Sequence, residues 1–147
     1  MPSELPEIQL KPIGFVRSEI KERGMGHRLA TATIEIDPAL TEALDDLVEF
    51  SHIIVIFWMH KSRPPAPLKV TPRHHGLDRP IGVFASRSPD RPNPIGKTTV
   101  RLLKREKNVL TVDGLDAIDG TPVLDIKPYI PGVDGAENAS APRWMPY

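Results

Sequence analysis

Residues 80–99, PIGVFASRSPDRPNPIGKTT, carry the densest chemistry in the chain: Arg87, Asp90, Arg91 and Asn93 are set between Pro89, Pro92 and Pro94. Each proline holds its own φ at about −65° and drives the residue before it toward extended geometry, so Ser88, Arg91 and Asn93 are pre-set. A stiff loop that presents cations loses little entropy when a ligand arrives. The competing reading is a proline-rich surface turn whose arginines are merely solvated.

Other motifs that invite a chemical reading fail on inspection. Ile95-Gly96-Lys97-Thr98 ends like a phosphate-binding loop, but the first glycine of GxxxxGK[ST] falls on Arg91, and Pro92 and Pro94 have no N–H to offer a phosphate. Gly24-Met25-Gly26 lacks the third glycine of a dinucleotide fingerprint. The five histidines have no metal-ligand spacing, and the adjacent His74 and His75 point opposite ways on an extended chain. Asp113, Asp116 and Asp119 recur every three residues without the alternate-position oxygens of a calcium loop. No metal is expected.

The elements that must position these residues read as short strands. Residues 13–18 form a first strand, and residues 29–36 alternate alanine and isoleucine with polar partners, the period of a half-buried strand. Asp37-Pro38 starts a helix over 38–47, with Asp37 as cap and a stripe of Leu40, Ala43, Leu44 and Leu47 facing the core. Residues 53–59, IIVIFWM, are a strand buried on both faces. Further strands are expected at 68–70, 82–86, 98–103, 109–112 and 121–126, with a hairpin turn at 105–108. Without alternating βα units, the pattern predicts a mainly β chain: a single small antiparallel β-barrel of six or seven strands with one or two short helices. The barrel domain is expected over residues 1–131. A tail over 132–147 follows, which Trp144 and Tyr147 could dock.

The 147 residues suit one domain with one core. No apolar run is long enough to span a membrane, no secretory leader opens the chain, and the absence of cysteine suits a reducing compartment. A cytoplasmic protein is therefore expected. Net charge is zero, yet residues 61–105 hold eleven Lys and Arg against Asp78 and Asp90, a local balance of +9, while residues 37–49 hold five acids and no base. Such asymmetry can mark a nucleic-acid face if the charges cluster in space.

The run GVFASRSPDRPNPIG at 82–96 resembles the signature of the TrmO (YaeB/TsaA-like) family, GVFATRSPxRPNPIG. Two further blocks resemble that family: residues 50–60, from Phe50-Ser51-His52-Ile53 to Phe57-Trp58-Met59-His60, and LDAIDGTPVLDIKPY at 115–129. The likeness extends from Pro12 to about Tyr129, as a short form without the C-terminal domain of longer members. It implies an S-adenosylmethionine-dependent methyltransferase on a β-barrel, whose best-known activity is N-methylation of threonylcarbamoyl-adenosine beside the tRNA anticodon. The cofactor has a sulfonium, an amino acid head, a ribose diol and an adenine. Carboxylates can accept from the diol or the ammonium, and backbone in a tight turn can read the adenine.

By this resemblance the cofactor pocket comprises His60, Lys61, Arg87, Lys97, Asp116, Ala117, Ile118 and Asp119. Arg91, Asn93, Lys127 and Tyr129 are assigned to the substrate, and the general base is left open among Asp119, His60 and Asp90. A homodimer and tRNA are the expected partners. Two departures stand out: Glu22 to Arg28 replaces a Pro-Arg-Gln motif, and Lys97-Thr98 replaces an apolar residue and serine. The same fold acting on a different acceptor, and a non-catalytic RNA-binding barrel, are the alternatives.

Overall fold

The computed structural model describes residues 2–23, 30–72 and 77–145. Arg73, His74, His75, Tyr147 and most of the loop from Glu22 to Arg28 lie outside the described residues.

Among the described residues eight strands form in chain order: β1 (Gly14–Arg17), β2 (Ala30–Ile36), β3 (His52–Trp58), β4 (Lys69–Val70), β5 (Ile81–Gly82), β6 (Ile95–Glu106), β7 (Val109–Leu115) and β8 (Pro122–Pro128). Six of them close into an antiparallel barrel in the order β1-β2-β7-β6-β3-β8, and β4 pairs with β5 beside it. The alternation read from sequence places Ala32, Ile34 and Ile36 of β2 inside. They meet Val16, Ile53, Val55, Val100, Leu110, Val112, Leu115 and Val123 in one core. Withdrawing each of the larger side chains from water stabilises the fold by about 1.5–3 kcal/mol.

The strand order decides what lies at each end. All neighbours run antiparallel, so the ends of β1, β3 and β7 and the starts of β2, β6 and β8 share one rim, here called the upper rim. In the ring of six, β7 and β8 are diametrically opposed, and so are β2 and β3. The connection at residues 116–121 must therefore cross the upper mouth, and the connection at 37–51 must cross the lower one. Each supplies a plug: Ala117 and Thr121 are buried above, and Leu44 is buried below.

Several expected elements differ. The helix over 38–47 is a 3-10 helix, Pro38–Leu44, followed by a separate 3-10 turn, Leu47–Glu49. The cap is as read, with Asp37 Oδ1 accepting from Ala39 N at 3.0 Å. Asp46, at φ 69°, interrupts the helix, and of the stripe only Leu44 is fully buried while Leu40 is 39% exposed. A segment crossing a mouth needs one plug, not a continuous apolar face.

The strand expected at 82–86 is two residues of β5 and then a 3-10 turn, Val83–Ala85. Ser86 closes that turn, its N and Oγ both donating to the Val83 carbonyl. β6 runs well beyond 98–103, beginning at Ile95 opposite Trp58. Gly96 is required there, because a Cβ would strike the Phe57 ring. β3 is less uniformly buried than expected: Ile53, Val55 and Phe57 point inward, and Ile56 and Trp58 are half-buried. The two-residue turn Lys107-Asn108 confirms the hairpin between β6 and β7. Trp144 is half-buried.

Candidate functional site

The upper rim collects the described part of the β1–β2 connection, the long excursion between β3 and β6, and the crossing segment 116–121. His60, Lys61, Arg87, Asp90, Arg91, Asn93 and Asp116 to Asp119 all lie on the second and third of these connections. Sequence stretches far apart in the chain thus converge on one mouth.

The crossing segment is anchored at both ends. Asp116 accepts from Thr98 Oγ1 of β6 at 2.9 Å. At the other end Asp119 Oδ1 accepts from Ser18 N at 2.9 Å, and Asp119 Oδ2 pairs with Lys21 Nζ at 3.0 Å. The Asp119 amide donates to the Ile20 carbonyl and the Gly120 amide to the Val16 carbonyl. Between the anchors Ala117 points into the core and Ile118 is half-buried, which leaves the backbone of the turn along the mouth. An open recess of about 360 Å³, lined by Arg17, Ser18, Lys21, Thr31, Thr33 and Asp119, adjoins the Asp119 end.

The long excursion is also pinned. Met59 N donates to the Pro94 carbonyl at 2.7 Å, and Asp90 accepts from Arg63 N at 2.7 Å. Arg91 folds back, its Nη1 donating to the carbonyls of Ser86 at 3.0 Å and Ser88 at 3.3 Å, while Arg87 and Asn93 are exposed. The stiff loop predicted from its prolines is therefore cross-braced as well. Arg91 is half committed to that bracing.

The three candidate bases separate electrostatically. The Arg23 guanidinium, bonded to both Asp90 oxygens, holds that carboxyl below its ordinary range, and the Arg63 amide adds to the effect. The Ser18 amide and then Lys21 hold Asp119 down in the same way. Partial withdrawal from water lowers His60, and the neighbouring Lys61 charge lowers it further. At neutral pH Asp90 and Asp119 are engaged anions with little affinity for a proton, whereas His60 carries an uncharged ring that has no hydrogen-bond partner among the described residues.

Three of the expected site residues are not brought to the mouth. Lys97 lies on β6 opposite Ile56, one step out of phase with the inward Val100, so its side chain leaves the outer wall. Lys127 sits at the lower end of β8 opposite Ile54 and pairs with Asp125 at 2.9 Å. Tyr129 lies beyond it, its amide bonded to the His52 carbonyl and its ring edge-on to His52. A resemblance block that runs the length of one strand places its two ends at opposite rims. Conversely, Ser18, Lys21 and Arg23 were missed, because only the closed ring brings the first connection beside residues 60–63 and 119. Among the described residues no cluster of metal-ligating side chains occurs, and no helix is long and apolar enough to cross a membrane.

Comparison with known proteins agrees with this fold. The family model of the tRNA-methyltransferase O N-terminal domain matches residues 17–135. A probable S-adenosyl-L-methionine-binding protein of Pyrococcus abyssi is 42% identical over 137 residues, covering 89% of this chain and 73% of that protein. A mouse tRNA (adenine(37)-N6)-methyltransferase is 47% identical over 100 residues, 67% of this chain and 23% of the mouse protein. A crystal structure of TrmO from Pseudomonas aeruginosa superposes with a TM-score of 0.78 at 36% identity, over 93% of this chain and 62% of that one.

Proposed function

This chain belongs to the family of the tRNA-methyltransferase O N-terminal domain, and on that footing we propose that its upper mouth methylates the N6 nitrogen of an adenosine in tRNA, the acceptor being threonylcarbamoyl-adenosine beside the anticodon. It is an S-adenosylmethionine-dependent methyltransferase of that family. The observation that carries the site assignment is the crossing segment 116–121, held over the mouth between Thr98 and Ser18, with His60, Lys61 and the braced arginine loop on the same rim.

The donor set fits the cofactor. Asp116 and the backbone of Ala117 and Ile118 offer acceptors and amides to a ribose and a purine, and exposed Arg87 suits a carboxylate. Asp119 acts through Ser18 and Lys21 by fixing the turn, and Lys97 is set aside because it faces outward. S-adenosylmethionine supplies an electrophilic methyl group on a sulfonium sulfur. The protein's share is alignment and proton handling. The braced rim would hold donor and acceptor side by side, which would remove much of the entropic part of the barrier. His60, neutral and without a hydrogen-bond partner among the described residues, takes the proton that the acceptor nitrogen must lose. Arg91 and Asn93 border the mouth as contacts for the target nucleoside. We read the protein as a homodimer in solution, as closed two-fold pairing is the commonest assembly.

The test is isothermal titration with S-adenosylmethionine, followed by radiolabelled methyl transfer to tRNA carrying threonylcarbamoyl-adenosine. Micromolar binding and labelled tRNA are expected. Binding without transfer to that tRNA removes the acceptor assignment, and no binding removes the whole reading.

A further inference from the structure

Asp90 is a junction between segments that are distant in sequence. Its Oδ1 accepts from Arg63 N at 2.7 Å, and the Arg23 guanidinium donates to both oxygens, each at 2.9 Å. Arg23 Nη1 also donates to the Lys61 carbonyl at 3.3 Å, and Lys61 Nζ donates back to the Lys21 carbonyl at 2.8 Å. Two loops are stitched reciprocally, and a third joins through the aspartate. The ion pair is forked on both sides and its side chains are only 26% and 21% exposed, so water and salt screen it less than an open surface pair.

We propose that Arg23 and Asp90 are positioning residues, a clasp that holds the arc at residues 60–63 and the proline-braced loop at a fixed separation above the mouth. The clasp rests on the reading of that mouth as the methyl-transfer site. The arc carries His60 and Lys61 and has no sheet partner. It is pinned at one end by the bond between Met59 N and the Pro94 carbonyl, and at the other by Asp90. Asp90 also sits within the loop that presents Arg91 and Asn93. One carboxylate thus sets the distance between the proton acceptor and the side chains facing the target nucleoside. Freed from it, arc and loop drift independently, and a small misplacement of reacting groups is costly in rate. This role explains why a carboxylate at the mouth is spent on three internal donors.

Arg23→Ala, Asp90→Ala, the double variant and Asp90→Asn, which keeps an acceptor for the Arg63 amide, test the clasp. The readouts are kcat and KM for methyl transfer to tRNA carrying threonylcarbamoyl-adenosine, and amide exchange at residues 60–63. Each alanine variant is expected to lower kcat/KM about tenfold, with the double no worse than the poorer single, the signature of one shared interaction. Asp90→Asn is expected to recover part of the loss, and exchange is expected to quicken in the same order. Additive losses, or quicker exchange with unchanged kcat/KM, overturn the proposal. If the parent protein neither binds S-adenosylmethionine nor transfers methyl, the functional reading has failed by itself. Exchange then decides the clasp: quickening in both single variants supports it, and no change overturns it.

Discussion

His60 and Asp90 stood as equivalent candidate bases in the sequence, and their surroundings set their proton affinities differently. Because desolvation and Lys61 lower His60 from its ordinary value, its ring sheds its proton below the usual histidine range. Methyl transfer is therefore expected to rise with pH through a point below about 6.5 and to level off before neutrality. His60→Ala is expected to abolish that acid limb and to lower kcat about 10²–10⁴-fold, measured from pH 5 to 9. Asp90 makes the opposite test. Its folded-state carboxyl lies below the unfolded value, so its contribution is complete above the unfolded value and is lost as pH falls through the folded one. Asp90→Asn is expected to flatten the acid side of a plot of Tm against pH between 7 and 2, and an unchanged acid slope would contradict this. Nothing in RSPDRPNP announces that its aspartate is already taken, since Arg23 lies 67 positions away and meets it only in the closed ring.

Among the elements, the barrel was legible wherever a local period existed. The alternation over 30–36 gave β2, and the apolar run at 53–59 gave β3, because inward facing is written residue by residue. The segment 38–47 misled, since an apolar stripe at helical spacing does not say how much of it has something to face. Of that stripe Leu44 alone is fully buried. Leu44→Ala is accordingly expected to cost about 2–5 kcal/mol in urea unfolding, while Leu40→Ala, at an exposed position, is expected to cost well under half of that. Lys127 and Tyr129 misled for a related reason: a strand of seven residues spans the barrel, so neighbours in a motif need not be neighbours at a site. Gly96→Val is expected to drive Phe57 from its place and lower Tm, with a loss of ordered aromatic signals as the spectroscopic check.

For the molecule as a whole, the charge run at 61–105 divides in space. β6 carries Arg101, Lys104 and Arg105 away from the mouth, and Arg105 ends on Asp45 at the lower rim. Arg79 and Arg87 remain exposed on the excursion between β3 and β6. In filter binding, Arg79→Glu is expected to weaken tRNA affinity and shallow its salt dependence by close to one unit of log slope, leaving S-adenosylmethionine affinity intact. Lys104→Glu, far along β6, is expected to do less, and equal effects would argue against a single RNA face. The closure of the ring carries a last consequence. β1 and β8 meet through only two registered pairs, Gly14 with Val123 and Phe15 with Pro122, whereas every other barrel junction is longer. That junction is the shortest in the ring, and amide exchange is expected to find the barrel opening there first. The hydrogen bonds from the Gly120 amide to the Val16 carbonyl and from the Ser18 amide to Asp119 lie just beyond it, at the upper mouth. A ligand seated there is expected to act as a rivet across that junction, slowing amide exchange of the whole sheet from the mouth outward.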